Sequence, residues 1–116
     1  MSGYTAPWSE TQASAANTAQ TLSHAAETGR KHLVTGIIVQ FTVATPATPI
    51  LWELRDGDGT GTVILSGGAG PGVAGMEIIR SEPLTDKTTV GSAVTLTVAA
   101  AGATIVSRAN LIGFTI

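Results

Sequence analysis

The chain has no cysteine. A disulfide framework, a thiolate zinc site and a cysteine nucleophile are therefore excluded, and the redox compartment is left open. Charge is scarce. Asp, Glu, Lys and Arg make up 12% of the 116 residues, roughly half the ~25% of an average domain. The net charge is -2, and no Lys/Arg cluster exceeds Arg30-Lys31. Nucleic acid is not an expected partner, because a phosphate backbone needs several cations on one face. No apolar run reaches the length of a membrane helix, so no membrane partner is expected. The first residues carry no basic region followed by an apolar core, so no secretory signal is expected. Aromatic residues are few, at 4%.

What is present is small and β-branched. Thr, Val, Ala and Gly dominate, a mixture suited to short strands joined by turns. The longest strand-forming run is Arg30 to Val43. Its odd positions, Leu33, Thr35, Ile37, Val39, Phe41 and Val43, make a nearly continuous apolar face in a strand of period two. This run is expected as a central strand. Thr18 to Ala26 is expected as a strand that hairpins into it across Glu27-Thr28-Gly29. Ile50 to Arg55 places Ile50, Trp52 and Leu54 on one face, with Trp52 the largest expected core residue. Asp56-Gly57-Asp58-Gly59 reads as a hairpin turn, and Thr62 to Leu65 as a short strand. Ser66 to Gly75 reads as a glycine-rich loop and Met76 to Arg80 as a strand. Ala93 to Ala99 alternates, with Val94, Leu96 and Val98 together. The last strand, within Thr104 to Ile116, has Ile112, Phe114 and Ile116 on one face. The count is about eight short strands with regular turn signals. That predicts an all-β fold, a single antiparallel β-sandwich over residues 18–116.

Residues 1–17 are small, polar and aperiodic, with Tyr4 and Trp8 in the first half. They are expected as an extended N-terminal arm. Two readings are open: a frayed terminus, or a partner-binding arm that docks Tyr4 and Trp8 on a neighbouring subunit.

Candidate chemistry is thin. In Asp56-Gly57-Asp58-Gly59, Thr60 stands where a calcium loop has its third Asp or Asn, and Gly67 stands where it has its Glu. A plain turn is the expectation. The two histidines, His24 and His32, can face each other across the Glu27–Gly29 turn. A metal there needs a carboxylate, and Glu27 lies in the turn itself. No metal, cofactor or catalytic residue is expected. No serine lies in Gly-x-Ser-x-Gly, and Glu53 should point away from Trp52.

Four segments carry a resemblance. They are Gly29-Arg30-Lys31-His32-Leu33-Val34-Thr35-Gly36-Ile37, Pro49-Ile50-Leu51-Trp52-Glu53-Leu54-Arg55-Asp56-Gly57, Gly91-Ser92-Ala93-Val94-Thr95-Leu96-Thr97-Val98-Ala99, and Arg108-Ala109-Asn110-Leu111-Ile112-Gly113-Phe114. In this order they resemble the small β-sandwich head decoration, or cement, proteins of tailed bacteriophages. The resemblance implies a jelly-roll-like sandwich, a homotrimer on the capsid surface, the major capsid protein as partner, and no catalysis. The protein would be made in the host bacterial cytoplasm and end in the virion. The alternative is a phage tail, baseplate or head-fibre module that binds a host surface glycan. An enzyme ranks below both.

Overall fold

The computed structural model describes residues 6–42, 46, 48–69, 76–79 and 88–116. Among them there are eight strands and no helix. In chain order these are β1 (Ala6–Ala13), β2 (Gln20–His24), β3 (His32–Thr42), β4 (Ile50–Asp56), β5 (Thr62–Ala69), β6 (Met76–Ile79), β7 (Val94–Val98) and β8 (Val106–Thr115). They form two four-stranded sheets, ordered β1-β8-β3-β6 and β2-β7-β4-β5. Every pairing is antiparallel. The fold is an all-β sandwich, as the alternating runs require.

The core lies between the sheets. The first sheet contributes Val34, Ile37, Val39, Phe41, Ala109 and Leu111, and the second Leu22, Ile50, Trp52, Leu54, Val94, Leu96 and Val98. Most of these are short aliphatics, so the interior depends on many small contacts. Trp52 is the exception. It is 1% exposed and lies opposite Gly67 on β5. A β-carbon at Gly67 would sit 2.8 Å from Trp52 Cζ2, so only glycine leaves the indole room. β5 runs to Ala69. Ser66 to Ala69, expected in a loop, are strand, paired with Ile50 to Glu53 of β4. Residues 70–75 of that expected loop lie outside the described residues.

Three expectations change. First, β2 does not hairpin with β3. It pairs only with β7, in the opposite sheet, and residues 25–31 carry the chain across. His24 and His32 still meet, but between sheets rather than along one.

Second, β3 and β8 have a different phase near one end. The β3–β8 register shifts between Val34 and Gly36, making Thr35 an extra residue. Such a bulge resets which side chains face inward. Ile37, Val39 and Phe41 face the core as expected, but before the bulge it is His32 and Val34 that do so. Leu33 falls on the other face, opposite Phe114. In β8 the inward set is Ser107, Ala109, Leu111, Gly113 and Thr115, which are buried, whereas Ile112 and Phe114 are only half-buried. The apolar residues of 112–116 therefore do not mark the core face.

Third, residues 6–13 of the expected arm are strand β1, paired along its length with β8. The inward row of β1 is led by the half-buried Trp8 and Glu10, each beside a buried β8 residue, and ends at Gln12, which is on the same face but exposed. That row is too polar to announce itself as one face of a strand.

Candidate functional site

A cluster of polar groups gathers where β1, β2 and the start of β3 meet. β1 brings Trp8 and Glu10 inward from the first sheet. β2 brings Gln20, Leu22 and His24 inward from the second. β3 begins with His32, turned inward by the Thr35 bulge.

Trp8 lies beside Gly113. A β-carbon there would collide first with the Leu33 carbonyl oxygen and would be 2.6 Å from Trp8 Cζ2, so backbone and indole together require glycine. Its ring stacks on His24, with centroids 4.1 Å apart and planes 6° from parallel. His32 meets both rings edge-on, 4.6 Å from His24 and 5.8 Å from Trp8. Trp8 Nε1 is buried and has no hydrogen-bond partner.

The imidazole nitrogens are held individually. His24 Nδ1 is 2.7 Å from Glu10 Oε2. A carboxylate only accepts, so His24 carries its proton on Nδ1 and leaves Nε2 with a lone pair. His32 is 0% exposed. Its Nε2 is 2.6 Å from the Ala25 carbonyl and its Nδ1 is 2.7 Å from Thr115 Oγ1. The carbonyl fixes a proton on Nε2, and Nδ1 then accepts from the Thr115 hydroxyl. Glu27 stands at the mouth of this group, exposed, in a turn closed by the Arg30 amide donating to its carbonyl at 3.1 Å. One ligand atom each from His24, Glu27 and His32 lie within 4.8 Å of one another.

A hydroxyl bonded to an imidazole is the start of a nucleophilic pair. Here Thr115 is 0% exposed, and the other nitrogen of its partner His32 faces a backbone carbonyl rather than a carboxylate. The pair is a closed internal contact. A second polar group lies on the same edge, where Gln20 Nε2 donates to the Ser107 carbonyl and hydroxyl at 3.1 and 2.6 Å.

The other sequence candidates are placed as follows. Trp8 is packed against its own chain's core, and Tyr4 lies outside the described residues. Glu53 points away from Trp52 and accepts from Arg55 Nη2 at 3.1 Å. Asp58 accepts from the Thr60 amide at 2.8 Å and hydroxyl at 2.6 Å. Those two bonds hold its carboxyl below the usual carboxylate range, the hydroxyl contributing most. Asp56 accepts from the Thr89 amide and hydroxyl at 3.1 and 2.5 Å. Asp58 thus shapes the expected turn from within, and Asp56 ties it to the loop that carries Thr89. Glu10 was missed by the sequence reading, because it lay in a segment with no periodicity to place it.

No known family model matches the chain, and no curated protein is similar to it.

Proposed function

We propose that this chain is a capsid decoration (cement) protein, a non-catalytic virion protein of a tailed bacteriophage. It binds the outer surface of the head as a homotrimer and stabilises contacts between major capsid subunits. The observation that carries the reading is the strand order, β1-β8-β3-β6 facing β2-β7-β4-β5. That order supports a jelly roll, the eight-strand double sheet found in viral capsid and lectin domains. The resemblance of residues 29–116 to cement proteins points the same way.

Surface composition supports it further. The exposed large apolar residues are Leu51, Val63, Val90 and Ile116 among the described residues, and charge is sparse overall. Apolar anchors on a charge-poor surface are the material of an interface. Each site would be weak, and three linked copies would multiply it.

The test is co-sedimentation with expanded heads that lack the protein, together with light scattering for the oligomer. A trimer that co-sediments is expected. Leu51→Glu, at a 54% exposed position, should leave the fold intact and weaken attachment. Deletion of residues 1–17 is a poor test, because it removes β1 and uncovers β8. Failure to bind heads, with the protein found at the tail, would replace this reading with the glycan-binding one.

A further inference from the structure

We propose that His24, His32 and Glu27 form a zinc-binding site that staples the two sheets together. This departs from the expectation of no metal, and it does not depend on capsid binding.

Three observations converge. The ligand set is two imidazoles and a carboxylate, one of the sets zinc accepts. The three ligand atoms already lie within 4.8 Å of one another. Tetrahedral coordination at ~2.0–2.1 Å bond lengths asks for separations of about 3.3 Å, so the gap is closed by a short movement. Glu27 and Ala25 are on the exposed part of the crossover, residues 25–29, where that movement meets least packing.

The second observation is behind the ligands. Glu10 holds the far nitrogen of His24 at 2.7 Å. A carboxylate on Nδ1 fixes the tautomer and directs the Nε2 lone pair outward, the arrangement found behind metal-bound histidines. Thr115 holds Nδ1 of His32 at the same distance. Each imidazole therefore has an oxygen on Nδ1, which leaves Nε2 as the metal-facing atom of both.

The third is the exchange available at His32. Without metal, its Nε2 proton goes to the Ala25 carbonyl. With zinc on Nε2, that proton resides on Nδ1 and is donated to Thr115 Oγ1, which can accept as well as donate. The ring stays neutral and keeps one N–H throughout. Ala25 gives way as the crossover closes, and water fills the fourth position on the exposed side.

Zinc here ties β2 of one sheet to β3 of the other and pins the crossover between them. The test uses untagged protein freed of metal with a chelator, titrated with zinc chloride in a calorimeter. One equivalent should bind, and the melting temperature should rise with zinc concentration. Cobalt chloride alone should give the absorption of a tetrahedral site. Glu27→Gln lies at an exposed turn and keeps the fold, and it should weaken binding at least about tenfold. Glu10→Gln should weaken it about 10–100-fold without removing a ligand. Absence of saturable binding at ~1 mM zinc, well above the affinity of a structural site, overturns the proposal. So does equal binding by wild type and Glu27→Gln.

Discussion

The two tryptophans sit in matched seats with opposite surroundings. Each lies beside a glycine on the neighbouring strand, Trp52 over Gly67 and Trp8 over Gly113, and each fills the space a β-carbon would take. An aromatic ring over a cross-strand glycine restores the contact that glycine gives up. Around Trp52 the neighbours are aliphatic, and the residue is 1% exposed. Trp8 also touches the core, but its ring neighbours are two histidines, and the residue is only half-buried. One backbone device therefore serves two purposes. At β4–β5 it seals the core. At β1–β8 it builds a wall for a polar cluster, at the cost of an indole N–H without a partner.

The comparison can be broken by truncation. Trp52→Ala should cost about 3–5 kcal/mol in denaturant unfolding, the range for large aromatics in a closed core. A loss under ~1 kcal/mol, the surface range, would mean that the two seats are alike in not being core. Trp8→Ala should cost less, about 1–3 kcal/mol, because part of the ring is already in water. Phenylalanine sharpens the contrast. Trp52→Phe shrinks a side chain in a closed core and should cost at least ~1 kcal/mol. Trp8→Phe also removes a buried, unpartnered donor, a gain of similar size, so the net change should stay within ~1 kcal/mol. A larger penalty at Trp8 than at Trp52 would show that the N–H is satisfied in solution. The smallest effect belongs to Glu10→Gln. Its side chain is 36% exposed, and pairs of that kind contribute under about 1 kcal/mol. Circular dichroism in the aromatic region should then change through Trp8 on its stacked partner His24, with no change at Trp52.

The same two regions show what the sequence could reveal. The Trp52 side of its seat was legible, since Ile50, Trp52 and Leu54 alternate without interruption and their strand keeps that phase, whereas Gly67 opposite it read as loop because glycine carries no strand signal. The Trp8 seat was not. Its inward row is Trp8, Glu10, Gln12 on one strand and Gly113, Thr115 on the next, so hydrophobic alternation points to the wrong face. In β8 it selected Ile112 and Phe114. In β3 the Thr35 bulge reverses the phase partway along, and nothing in local composition announces an extra residue. The nearness of His24 and His32 was readable because only a short crossover separates them. Glu10 was not, because its approach depends on β1 pairing with β8 from the far end of the chain.

That long-range pairing also sets a clock. β8 lies between β1 and β3, so the first sheet lacks an interior strand until β8 has been made, after all seven other strands. Synthesis at ~5–20 residues per second leaves β1 waiting on the order of 5–20 s for its only ladder. The second sheet completes with β7, ahead of it. Folding is therefore ordered by topology: β2, β7, β4 and β5 can close first, and the histidine cluster forms only as β8 slots in. Pairings this far apart in sequence also make for slow folding. During that interval β1 has no partner strand and β3 lacks one of its two.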